Sequence, residues 1–118
     1  MNKPQRLILN LKGGDEVRLG GLTLLTVHEV GQPMLKATIS AQILKGDEHC
    51  IFDHNEDNWK DLESLDSVVV GLGDRLLIGT VEILVASISK RYGEVRLSFQ
   101  SYDEETAKLL KNLKESLR

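Results

Sequence analysis

The sequence predicts an all-β domain with short helices, made of two copies of one β-unit and closed by a carboxyl-terminal α-helix. Three observations carry that expectation. Short apolar runs are separated by glycine-bounded turns, the pattern of strands joined by tight connections. The same order of runs and turns returns about 59 residues later. Finally, one amphipathic stripe at helical spacing stands near the end of the chain.

The first unit spans residues 6–46. Arg6–Lys12 mixes alternation with branched residues and reads as a strand, followed by a turn at Gly13-Gly14-Asp15. Glu16–Leu19 is a short strand ended by Gly20-Gly21, and Leu22–Val30 a long apolar one. Gly31-Gln32-Pro33 breaks it, because glycine accepts positive φ and proline cannot donate to a ladder. Met34–Ala41 alternates Leu35, Ala37, Ile39 and Ala41 with polar residues, as a half-buried hairpin strand does.

The second unit spans residues 67–100. Val68–Val70 is followed by a turn at Gly71–Asp74, Arg75–Ile78 by Gly79, and Val81–Ile88 by a polar loop at Ser89–Gly93. Val95–Phe99 closes it with the alternation Val95, Leu97, Phe99. Gly14-Asp15 answers Gly73-Asp74 and Leu19-Gly20 answers Ile78-Gly79, all at an offset of 59. Leu35–Ile39 answers Val95–Phe99 at an offset of 60, which places one extra residue in the hairpin loop, where insertions cost least.

Between the units, residues 47–66 form an acidic linker with eight carboxylates against Lys60 alone. His49–Phe52 reads as a short strand. Asn55–Leu65, with Trp59, Leu62 and Leu65 at helical spacing, predicts a short helix. Residues 101–118 predict a longer one. Ser101 and Glu104 have the form of a capping box, acids open the segment and lysines close it. Leu109, Leu110, Leu113 and Leu117 line one face, either as core or as a weak dimer seam.

Composition bounds the function. The 118 residues suit one domain, 1–118, and no apolar run approaches a membrane span. The amino terminus has no long apolar stretch of secretory type, and the lone Cys50 fits a reducing compartment, so a cytoplasmic protein is expected. Net charge is −3, and neither half is basic. Nucleic acid would therefore be held by a local patch, with modest and salt-sensitive affinity.

The repeated unit resembles the carbon storage regulators of bacteria, a family of small post-transcriptional regulators. Their opening pattern is close to L-I-L-T-R-R-x-G-E-x-L-x-I-G. Leu7-Ile8-Leu9-Asn10-Leu11-Lys12-Gly13-Gly14-Asp15-Glu16-Val17-Arg18-Leu19-Gly20 follows its spacing. Gly73-Asp74-Arg75-Leu76-Leu77-Ile78-Gly79 and Val95-Arg96-Leu97 repeat parts of the family pattern in the second unit. The resemblance implies strands exchanged between units, so that one chain makes an interlaced pseudo-dimer, itself a monomer or paired weakly through the last helix. It also implies RNA-binding regulation of translation through GGA-containing hairpins, held where a first strand meets the other unit's fifth. A protein-interaction module of the same fold is the alternative. The family's adjacent first-strand arginines fall at Leu11 and Lys12 here, and at Val70 and Gly71 in the second unit. One RNA site per chain, beside Arg6 and Lys12, is the resulting expectation.

The candidate RNA-binding residues are Arg6, Asn10 and Lys12, which share one face of a strand, with His49 as the nearest counterpart of a fifth-strand arginine. Lys90 and Arg91 join them from the second hairpin loop, next to Tyr92, a pairing of bases and ring that can grip a phosphate and stack a base. His49, Cys50, Asp53 and His54 include possible metal ligands, but neighbours on a strand point to opposite faces, so no metal is expected. No nucleophile elbow or phosphate loop suggests catalysis, and no cofactor is expected.

Overall fold

Alternation at the start of the chain becomes β1 (Gln5–Lys12), with Leu7 and Leu11 buried, Leu9 partly so, and Arg6, Ile8, Asn10 and Lys12 exposed. The computed structural model describes residues 5–31, 35–42, 49–53, 56–62 and 64–116. The strands that follow are β2 (Glu16–Leu19), β3 (Leu22–Val30), β4 (Lys36–Ala41), β5 (His49–Asp53) and β6 (Asn58–Asp61). The second unit supplies β7 (Val68–Gly71), β8 (Arg75–Ile78), β9 (Val81–Ser89) and β10 (Glu94–Ser101), and α1 (Glu104–Ser116) follows. The expected Gln32-Pro33 break and Leu117 lie outside the described residues.

Two antiparallel sheets result. One runs β1-β10-β9-β8-β5-β6 and the other β2-β3-β4-β7. The first strand of each unit therefore lies on the fourth strand of the other: Leu9 opposes Leu97, and Val70 opposes Ala37. Inward residues of both sheets form one cluster, with Phe99, Leu24, Leu25, Ile39, Leu76 and Ile83 fully buried. The radius of gyration, 13.5 Å, is that of a single compact domain of this length. No helix among the described residues is long and apolar enough to cross a membrane.

The turns repeat atom for atom. Asp15 accepts from the Lys12 amide at 2.8 Å, and Asp74 accepts from the Gly71 amide at 2.8 Å. Gly14 donates to the Val27 carbonyl and Gly73 to that of Val85. Both glycines have positive φ, 94° and 86°, where a Cβ would be strained. The later offset needs correction, however. Val27 opposes Ile39 as Val85 opposes Leu97, so Ile39 answers Leu97 at 58 rather than 60. The length difference is a bulge in β3, where Val17 faces Leu25 and Arg18 faces Thr23, skipping Leu24. The corresponding β8–β9 ladder runs without a slip. A two-residue misalignment leaves every side chain on its own face, which is why alternation alone could not detect it.

The expected short helix in the linker is a strand instead. Residues 58–61 pair with β5, Phe52 opposite Trp59 and Cys50 opposite Asp61. Asp57 turns the chain with a φ of 52°. Aspartate and asparagine bond readily to nearby backbone and favour turns over helix interiors, and so short a segment gains little from helix propensity alone. At the last helix the cap is Asp103, not Ser101. Asp103 Oδ2 accepts from the Thr106 amide at 3.0 Å and from its hydroxyl at 2.8 Å. Ser101 still belongs to β10 and donates to the Thr80 carbonyl. Leu110 is buried and Leu109 and Leu113 pack against the core, so the described leucines of the stripe face their own chain.

Candidate nucleic-acid interface

β1 is an edge strand, and its outward residues face those of β10 rung by rung: Arg6 opposite Gln100, Ile8 opposite Ser98, Asn10 opposite Arg96, Lys12 opposite Glu94. The alternation of leucine with polar residues forces this presentation, since the leucines bury inward. Arg6 Nη2 donates to Gln100 Oε1 at 3.0 Å. Arg96 Nε donates to Asn10 Oδ1 at 2.9 Å. Lys12 Nζ stands 3.7 Å from Glu94 Oε1, the lysine largely in solvent and the glutamate about one-third exposed. Such a pair is worth little in stability and yields to salt or to a stronger anion.

Arg6, Asn10 and Lys12 thus share one face, extending about 20 Å from Arg6 to Lys12 at strand rise. Arg96 joins them from β10. Its alternation marked it as outward, but only cross-strand register could show that it stands beside Asn10. Lys90 and Arg91 lie in the turn joining Ser89 to Glu94, and Glu94 faces Lys12. The hairpin tip therefore sits at the Lys12 end of the edge, a proximity that only the register of β10 on β1 establishes. The Arg91 Cζ lies 5.3 Å from the Tyr92 ring centroid. A Cβ on Gly31 would stand 3.2 Å from the Lys90 Cα, so Gly31 packs closely behind this tip.

His49 does not belong to the group. It lies on β5, opposite Ile78 on β8, and β5 is four strands from β1 in the same sheet. At about 4.8 Å per strand that is roughly 19 Å of separation. The corresponding edge of the second unit carries no base of its own: Val69 and Gly71 point outward on β7, and Lys36 of β4 opposes Gly71. His54, one of the weighed metal ligands, lies outside the described residues.

Arg6 also borders two hollows. One, of about 360 Å³, is shared with Leu7, Ile8 and Lys114 of α1. The other, of about 330 Å³, opens on the sheet face toward Arg75, Gln100 and Tyr102. Arginine guanidinium forks suit phosphate oxygens geometrically, and Arg6 and Arg96 here are held by neutral amide oxygens rather than carboxylates. Set beside known proteins, the chain matches no protein-family model, no curated protein and no solved structure.

Proposed function

We propose that this chain is an RNA-binding regulator of translation, two units resembling carbon storage regulators interlaced as a pseudo-dimer, with RNA held along β1. The observation that carries the reading is the exchange of strands between units. β1 lies on β10 and β7 lies on β4, while β5 of the linker lies on β8 of the second unit. Exchange of strands supports the interlaced reading, although each first strand meets the other unit's fourth strand and not its fifth. The edge offers Arg6, Asn10, Lys12 and Arg96 on one face, with Lys90 and Arg91 at its end. It needs neither catalysis nor a cofactor. A role on messenger RNA is exercised in the cytoplasm, which also suits the single thiol, Cys50.

A second reading has its own support. Leu35, Val69 and Leu72 are each more than half exposed at the β4–β7 edge, where the second unit has no base in the matching positions. An exposed apolar group on an edge strand suits a protein partner. Titration of a GGA-containing RNA hairpin against the protein at several salt concentrations decides between them. One RNA per chain and a log–log salt slope of about −2, from three phosphate contacts, are expected. Absence of binding even at low salt would remove the RNA reading and leave the protein partner.

A further inference from the structure

The outer face of the six-stranded sheet carries a row that crosses all its strands. Ile8 faces Ser98, Ser98 faces Leu84, Leu84 faces Arg75, Arg75 faces Phe52, and Phe52 faces Trp59. Directly opposed residues project on the same side, so these six share one face. Ile8 is 58% exposed, Leu84 37% and Trp59 42%.

At the β6 end of the row the side chains form a cluster of two tilted rings and a guanidinium. The Phe52 and Trp59 ring centroids are 5.3 Å apart. The Arg75 Cζ lies 4.5 Å from the Phe52 centroid and 5.9 Å from that of Trp59. Arg75 also lines the 330 Å³ hollow together with Arg6, Gln100 and Tyr102. One hollow therefore has Arg6 of β1 and Arg75 of β8 on its walls beside Glu82, the exposed Tyr102 in its lining, and the Phe52–Trp59 pair adjoining it through Arg75. Glu82 answers Arg75 at 3.5 Å, whereas the hydrogen-bond partner of Arg6 is the neutral Gln100.

Exposed rings interleaved with arginines on a sheet grip single strands without regard to sequence, because every base offers a π-face and every link a phosphate. We propose that single-stranded RNA crosses this open face from β1 to the β5–β6 hairpin. A phosphate lies in the hollow between Arg6 and Arg75, and a base stacks on Trp59. The proposal rests on the RNA reading above, since Arg6 belongs both to the edge and to the hollow. It extends the contact surface from one strand to the sheet width, about 24 Å at the usual strand spacing. An acidic polypeptide would meet the same guanidiniums, but it would leave the flat faces of the rings without a matching partner.

Trp59 is the only tryptophan, so its emission reports on that end of the row. The probe is a labelled oligoadenylate of about twelve nucleotides, within the range of single-strand site sizes. Its anisotropy follows binding anywhere on the protein, and tryptophan emission follows stacking. Expected are quenching that saturates with the anisotropy, about tenfold weaker binding for Trp59→Ala, and near-complete retention for Trp59→Phe. Arg75→Gln is expected to weaken binding several-fold, with circular dichroism confirming that the variants fold. Bound RNA with unchanged emission, and undiminished affinity in Trp59→Ala, would overturn the proposal while leaving RNA binding along β1 intact. Quenching by an oligoaspartate peptide but not by RNA would assign the face to a protein. No binding of the oligoadenylate by either readout overturns this proposal, while the RNA reading along β1 stands or falls on the GGA-hairpin titration.

Discussion

Arg96 and Lys12 stand on adjacent outward rungs of the same edge, yet their charges are answered differently. Arg96 donates to a neutral amide, Asn10, whereas Lys12 has the Glu94 carboxylate 3.7 Å away. A phosphate near Lys12 must compete with that carboxylate, and one near Arg96 need not. Arg96→Ala is therefore expected to weaken RNA more than Lys12→Ala, each lowering the salt slope by about one contact. Glu94→Gln should strengthen binding about threefold, the worth of releasing an exposed ion pair. An unchanged or weaker affinity in Glu94→Gln would show that Lys12 is not a phosphate contact. The Lys90 turn abuts the same end of β1, so Lys90→Ala should cost about as much as Lys12→Ala. Gly31→Ala tests that support from behind: a φ of 85° and a 3.2 Å approach to Lys90 make the added methyl strained. A stability loss of about 2 kcal/mol is expected, measured by denaturant unfolding.

The elements show what the residues alone could and could not convey. Glycine-bounded turns and period-two alternation were enough to place β1 to β4 and β7 to β10, because those signals are local. Trp59, Leu62 and Leu65 misled for the opposite reason. Their helical spacing is real, but Trp59 faces outward on β6 while Leu65 is buried after it, and pairing with β5 decided the backbone. The bulge at Leu24 was likewise invisible, since it appears only when β3 is read against β2. The candidate face was half legible. Period two put Arg6, Asn10 and Lys12 together, whereas Arg96 and the tip residues Lys90 and Arg91 came to them through register with the other unit. His49 was misplaced because sequence order says nothing of its distance across the sheet. At α1, an aspartate cap rather than a serine predicts that Asp103→Ala costs about 1 kcal/mol and roughly 4 °C in Tm. A change within experimental error would return the cap to Ser101.

Over the whole molecule, the exchange of strands makes each sheet a joint product of both units. The six-stranded sheet takes β1, β5 and β6 from before residue 67 and β8, β9 and β10 from after it; the four-stranded sheet takes β2, β3 and β4 from before and β7 from after. Neither portion owns a complete sheet, and the core cluster draws Leu7, Leu25 and Ile39 from one and Val70, Ile83 and Phe99 from the other. A portion alone would expose one face of its hairpin and the ladder edges that β1 or β7 now cover, the combination that leads strands to pair with other chains. Two polypeptides, residues 1–66 and 67–118, are accordingly expected to show no cooperative unfolding as monomers. Mixed at equal concentration, they should associate one to one and recover the β-type circular dichroism of the intact chain, with a midpoint that rises with concentration as it must for a bimolecular fold. Light scattering and thermal melts at two concentrations are sufficient. A portion that remains monomeric and melts cooperatively by itself would mean that its own strands complete a core, and the mutual dependence argued from the strand order would be lost.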